Sequence, residues 1–234
     1  MTTTWPTTPN GKWLVLRTVG ANWRSRDGFR WHKTVPTIAP DWDPDPARGC
    51  GGGLHGLLWG CGEASLLSGA SDAVWLVVEV DPADVANPDQ PNKIRFRAGS
   101  VVHHGTREAA VDYLMTHGAV GLPVVYARHT AGYRGTATAG DRGTATAGYR
   151  GTATAGGYGT ATAGDRGTAT AGFRGTATAG YGGTATAGYG GALVIAWHDE
   201  WRKRIAVAYV GEASIRADTP YRLDDGGNFV EVAS

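Results

Sequence analysis

Cysteine is scarce: Cys50 and Cys61 are the only two in 234 residues, too few for the disulfide framework of a small secreted scaffold. Charge of one sign is also missing. Lys and Arg number 22 against 21 Asp and Glu, a net charge of +1, so no global field points to nucleic acid, an anionic membrane or acidic ligands. No uncharged apolar run approaches the roughly 20 residues of a membrane helix. The start, MTTTWPTTPNGKW, lacks the basic segment and apolar run of a secretory leader. A cytoplasmic protein without a membrane partner is the expectation.

Glycine, by contrast, is abundant. The 37 glycines are about twice the usual share, and most fall in one stretch, AGYRGTATAGDRGTATAGYRGTATAG and its continuation to Gly191. The chain divides on this basis into three expected regions. Residues 1–127 read as an α+β domain, with strands at Trp13 to Val19, Ala73 to Val80 and Lys93 to Val102. One helix is expected in TREAAVDYLMTHG, with Thr106 as its N-cap and Gly118 just past its end. Thr34 to Gly69 reads as a long irregular segment. Residues 128–191 hold the repeats. Residues 192–234 read as a β-hairpin cap, with polar turns inside ALVIAWHDEWRKRIAVAYVG and YRLDDGGNFVEV.

The repeat is Gly-X-Arg-Gly-Thr-Ala-Thr-Ala, uninterrupted, with X as Tyr, Asp, Gly or Phe. Unbroken spacing favours a solenoid, so the fold expected overall is mainly β. Alternation puts both threonines of a unit on one side and its alanines on the other. Alanine inward leaves no hydroxyl to satisfy, whereas threonine inward would bury two per unit. The outward rows are therefore Thr136, Thr138, Thr144, Thr146, Thr152, Thr154, Thr160, Thr162, Thr168, Thr170, Thr176, Thr178, Thr184 and Thr186. Stacked coils space equivalent threonines about 4.8 Å apart, and those within a strand about 6.7 Å. The paired glycines are assigned to turns that most residues could not adopt.

Two buried methyls per octad contribute about 1.6 kcal/mol and four or five ladder hydrogen bonds about 4 kcal/mol. Ordering eight backbones costs about 8 kcal/mol. The repeat is thus marginal alone, and its flanking regions are expected to cap it. A coil of 24 residues matches the text better, but stacks Asp141 on Asp165; a two-sided coil of 16 avoids that like-charge pair and is preferred.

These octads resemble the repeats of bacterial ice-nucleation proteins, whose units read much like Ala-Gly-Tyr-Gly-Ser-Thr-x-Thr. The matching text is AGYGGTATAGYGG around Tyr181 and GYGTATAG around Tyr158. The resemblance implies a non-enzymatic β-solenoid whose outward Thr-x-Thr rows meet ordered water or an ice surface. It also implies self-association through an edge of tyrosines, here Tyr133, Tyr149, Tyr181 and Tyr189. Two features depart from that family: Arg follows Tyr where Gly is common, and Gly replaces Ser. The family's arrays are also many times longer and carry a secretion or anchoring region, which is not expected here. The outer regions resemble uncharacterised bacterial and phage proteins that join CGGGLHGLLWG-like and TPYRLDDG-like segments to alanine-rich repeats. The alternative function is a structural spacer or interaction module, phage- or toxin-associated, with a binding N-terminal domain; an enzyme in that domain is the third reading.

Cys50, His55 and Cys61 could hold zinc with His103 or His104, or pair as nucleophile and base. The Cys-x4-His-x5-Cys spacing fits no strong zinc pattern, and no orienting acid can be named, so no metal, cofactor or catalytic residue is assigned. GCGGGLHG lacks the Lys-Ser/Thr ending of a phosphate loop. The repeat's five Arg against two Asp read as solvated turn residues that block edge association, rather than as a nucleic-acid surface.

Overall fold

The computed structural model describes residues 5–48, 51–90 and 93–232. The chain forms two compact units, Met1–Val124 and Val125–Ser234.

In the first unit, β-branched and leucine-rich runs form β1 (Trp13–Val19), β2 (Thr37–Ile38), β3 (Leu54–Leu58), β4 (Val74–Val80), β5 (Ile94–Phe96) and β6 (Ala98–Gly105). They make one antiparallel sheet in the order β2-β6-β4-β1-β3-β5. The run expected as one strand from Lys93 is split between β5 and β6. Two strands lie in the stretch expected to be irregular, and β3 is an interior one. Its Gly56 explains both the misreading and the strand: a Cβ there would meet Val15 Cγ1 at 2.4 Å and Leu16 O at 2.8 Å. A residue type that signals a loop here permits close approach of β1. The helix α1 (Arg107–Leu114) begins as expected, with Thr106 Oγ1 accepting from Ala109 N at 3.2 Å. Ala110, Val111 and Leu114 are its buried residues, and Gly118 follows in the left-handed region at φ 126°.

The second unit is a two-sided parallel β-solenoid. Its coil strands are β7 (Arg128–Ala131), β8 (Thr136–Ala139), β9 (Thr144–Ala147), β10 (Thr152–Ala155), β11 (Thr160–Ala163), β12 (Thr168–Ala171), β13 (Thr176–Ala179) and β14 (Thr184–Ala187). Thr152 pairs with Thr136 and Thr168, and Thr160 with Thr144 and Thr176. The coil is therefore the 16-residue one. Alternate octads build opposite sheets, and every Thr-Ala-Thr-Ala lies in register on its equivalents. Strand alternation buries both alanines of each octad between the sheets; Ala137, Ala145, Ala153, Ala161, Ala169, Ala177 and Ala185 are each 0% exposed.

The glycines do a different job from the one expected. The left-handed residue of each turn occupies the Arg position: Arg134, Arg142, Arg150, Tyr158, Arg166 and Arg174 have φ between 50° and 57°, with Gly182 and Gly190 in the last two turns. The turn closes by N–H donation from the second Gly to the first, as from Gly151 to Gly148 O at 2.9 Å. A positive φ at the third residue is the mark of a type II turn. The paired glycines are required instead because coils touch: a Cβ on Gly148 would lie 2.8 Å from Gly132 C, and one on Gly151 2.8 Å from Gly135 O.

Beyond the octads, β15 (Ala192–His198) continues one sheet in parallel with β13, placing Leu193 beside Ala177 and Ile195 beside Ala179. It forms a hairpin with β16 (Lys203–Tyr209). A second hairpin, β17 (Tyr221–Leu223) with β18 (Phe229–Glu231), attaches to β14 through Ala185 and Tyr221. Larger side chains thus enter the core where the octads stop: Leu193, Ile195, Val210, Ile215 and Tyr221 join the alanine cluster. They supply burial that a methyl-only core lacks.

Candidate functional site

The repeats present two flat threonine faces. One carries Thr136, Thr138, Thr152, Thr154, Thr168, Thr170, Thr184 and Thr186, and the other Thr144, Thr146, Thr160, Thr162, Thr176 and Thr178. All fourteen are exposed or half-buried. Parallel in-register pairing stacks like on like, so each face is a lattice of hydroxyl and methyl groups with periods of about 4.8 Å across strands and 6.7 Å along them. The second face is bounded by Thr130 at one end and by Ala192 and Val194 at the other.

The turns form two edges. On one, Tyr133, Tyr149, Asp165 and Tyr181 occupy successive coils, joined by N–H donation from Arg134 to Tyr149 O, Arg150 to Asp165 O and Arg166 to Tyr181 O. The Tyr133 and Tyr149 rings stack with centroids 5.8 Å apart. Asp165 interrupts the stack, and Tyr181 instead meets His198 edge-on at 4.9 Å. Tyr189 lies on the opposite edge, stacked on Phe173 at 6.2 Å, with Tyr158 against the other side of that ring at 5.5 Å. Phe173 and Tyr158 were not among the expected edge residues; the coil period, once fixed, identifies both. Arg134 and Arg150 fold over Tyr133 and Tyr149, with guanidinium carbon to ring centroid 5.4 Å in each. Among the described residues, no carboxylate lies within ion-pairing distance of Arg134, Arg142, Arg150, Arg166 or Arg174.

Of the cysteine–histidine cluster, the structure describes His55, Cys61, His103 and His104. Cys50 lies outside the described residues. Burial pushes the Cys61 thiol up to about 12, so it stays protonated, and its Sγ lies 3.7 Å from Trp59 O. A buried thiol in that state is a poor nucleophile. His103 stacks on Tyr113 at 4.9 Å and His104 meets Trp23 at 5.0 Å. Among the described residues, no group of three His, Cys, Asp or Glu side chains could hold a metal ion.

Fold and surface together define a class: a β-solenoid repeat protein with in-register Thr-x-Thr arrays. Its central part, about 45% of the chain, is similar to ice nucleation proteins. An ice nucleation protein of Pseudomonas syringae is 36% identical over 103 residues, 44% of this chain and 9% of that protein. Ice nucleation protein InaU of Pantoea ananas is 34% identical over 108 residues, 46% of this chain and 10% of its own length. That of Xanthomonas campestris pv. translucens is 34% identical over 103 residues and is covered over 6% of its length. The chain thus spans a tenth or less of these relatives. No protein-family model matches the chain. No solved structure matches it.

These relatives overturn the expected cytoplasmic location: ice nucleation proteins are anchored to the outer membrane and displayed at the cell surface. The expectation rested on a missing leader and a missing apolar span, and such absences do not locate a protein. No helix among the described residues is long and apolar enough to cross a membrane, which says nothing of strands.

Proposed function

We propose that the solenoid is a non-enzymatic surface that orders water against ice through its two Thr-x-Thr faces. The observation that carries this reading is the in-register stacking of Thr136, Thr152, Thr168 and Thr184, with their partners two residues on, over an alanine core. A rigid core holds the lattice, and the alternating methyl and hydroxyl groups can order water without trapping it in a pocket. The similarity to ice nucleation proteins supports the same reading. The larger face measures only about 14 Å across its strands, so one molecule is a small template.

Self-association would enlarge it, and we assign that role to the tyrosine edges. Tyr133, Tyr149 and Tyr181 would act on one edge and Tyr189 on the other; Tyr133 and Tyr189 are 65% and 69% exposed, leaving ring surface that a second copy could cover.

Droplet freezing and thermal hysteresis test the reading. Replacing Thr152, Thr154, Thr168 and Thr170 on one face and Thr144, Thr146, Thr160 and Thr162 on the other together by Lys should abolish any effect on ice while leaving the alanine core intact. If the variant and the parent behave alike in both assays, water ordering is wrong and the repeat is a rigid spacer. Sedimentation of a variant with Tyr133, Tyr149, Tyr181 and Tyr189 all replaced by Ser tests the edges: association that persists unchanged removes them.

A further inference from the structure

The N-terminal unit carries a cavity that the water-ordering reading leaves unused. It has a volume of about 390 Å³ and is lined by Arg17, Ser25, Arg26, Asp27, Asp41 and His55, among others, a size within the range of small-molecule sites. β1 supplies Arg17, β3 supplies His55, and the connections between β1 and β3 supply the rest. Buried Arg95 fixes the loop that follows Asp41: its Nη1 donates to Asp43 O at 2.8 Å and to Gly52 O at 3.0 Å.

The cavity wall is rich in donors that the protein does not use. Arg17 Nη1 donates to His55 O at 3.2 Å and its Nη2 to Ser25 Oγ at 2.9 Å, while the guanidinium lies 4.0 Å over the Trp31 ring. Among the described residues, neither Arg17 nor Arg26 has a carboxylate within 4.0 Å. Ser25 Oγ accepts twice, from Arg17 and from Trp31 Nε1 at 3.1 Å. Its single proton is therefore left as a donor, and no acceptor for it is found among the described residues. Two further polar atoms of these side chains, Arg17 Nε and His55 Nε2, are buried without a partner. Burial, followed by the charges of Lys93, Arg17 and Arg95, also holds His55 in its neutral form against the opposing charge of Asp41. A wall with unpaired guanidinium groups and a free hydroxyl proton is incomplete without an anion. The two carboxylates supply the complementary chemistry. Asp27 accepts from Phe29 N at 3.3 Å and Asp41 from Gly53 N at 3.1 Å, and each keeps an oxygen free for a ligand hydroxyl.

We propose that this cavity binds a small phosphate monoester bearing hydroxyl groups, of the sugar-phosphate or nucleoside-monophosphate kind. Arg17, Arg26 and the Ser25 hydroxyl hold the tetrahedral anion, and Asp27 and Asp41 hold the hydroxyls. Three donor groups suit the three terminal oxygens of a phosphate, whereas a planar carboxylate offers two. The site uses side-chain donors and not a glycine-rich phosphate loop. It is also independent of the threonine faces.

Calorimetric titration of the full chain with ribose 5-phosphate, adenosine 5′-monophosphate, ribose and acetate tests this. Either phosphate ester should bind, and ribose and acetate should not. Arg26 is exposed, so Arg26→Ala should keep the circular dichroism spectrum and melting temperature while weakening phosphate binding about tenfold, the effect of one charge-assisted hydrogen bond. Tighter binding of adenosine 5′-monophosphate than of ribose 5-phosphate would support the proposal and assign the nucleoside form. Failure of both esters to bind the folded protein would overturn it, as would equal binding by the folded Arg26→Ala variant or binding of acetate as tight as that of the esters. Droplet freezing by Arg26→Ala should match the parent, which separates this site from the threonine surface.

Discussion

Asp165 Oδ1 accepts a hydrogen bond from the backbone N–H of Tyr181, one coil further along, at 2.9 Å. Asp141 makes the same contact to Gly157 N at 2.8 Å. An aspartate at the X position therefore ties its turn to the next, which tyrosine or phenylalanine cannot do. Replacing Asp165 by Ala should lower the stability of the repeats by about 1 kcal/mol, the usual net worth of one such bond. Asn keeps an acceptor oxygen and should recover most of the loss. Thermal unfolding of the two variants checks this; equal losses for Ala and Asn would mean that the bond contributes nothing.

Arg150 adopts φ 57°, where an L-residue with a Cβ is strained by roughly 1–2 kcal/mol. Its guanidinium over Tyr149 returns part of that cost. Two substitutions that both delete the guanidinium should then behave differently. Arg150→Gly removes the strain and should leave stability close to the parent's. Arg150→Val places a β-branched residue in the left-handed region and should destabilise by at least about 1 kcal/mol. Denaturant midpoints of the pair decide it, since loss of charge alone would shift both equally.

The solenoid was legible in the sequence because a strand has period two and alanine and threonine differ so sharply in polarity. Once Ala153 points inward, Thr152 and Thr154 have only one side left. The coil length followed from the cost of stacking Asp141 on Asp165 in the longer register. The octad text could not show that the left-handed residue sits at Arg134 and its equivalents, because glycine is the usual occupant of that conformation and stands on both sides of the pair. Nor could it show β3, since Gly56 reads as a breaker until Val15 is known to pack against it. The anion cavity had no sequence signal at all. Arg17, Ser25, Asp41 and His55 match no spaced motif, and only the pairing of β1 with β3 brings the first and last together. Cys61 was singled out for its sulfur, and only the fold shows the burial that pushes this thiol up to about 12.

The alanine core leaves no room for growth. Ala161 is 0% exposed and lies in the alanine cluster between the sheets. Ala161→Leu would drive them apart and should cost at least about 1–3 kcal/mol, the range for overpacking. Thr162→Leu, on the adjoining outward position, should be tolerated to within about 0.5 kcal/mol. Heat or denaturant unfolding of the two variants gives the comparison. Similar losses at both positions would contradict the assignment of inside and outside.

His55 contributes to the acid response of the N-terminal unit, alongside His103, whose pKa burial also lowers. Burial, followed by Lys93, Arg17 and Arg95, lowers its pKa from 6.5 to about 4 in the folded chain, with Asp41 opposing. Between those values the unfolded chain binds a proton at this residue and the folded chain does not. The contribution of His55 to stability is therefore fully present above pH 6.5 and is lost progressively as the pH falls towards about 4. His55→Asn removes the titrating group and should flatten that part of the curve without changing its direction at lower pH, where carboxylates take over. Melting temperatures followed by tryptophan fluorescence across this window test the assignment. If parent and variant lose stability in parallel from pH 6.5 downwards, the acid sensitivity lies elsewhere than His55.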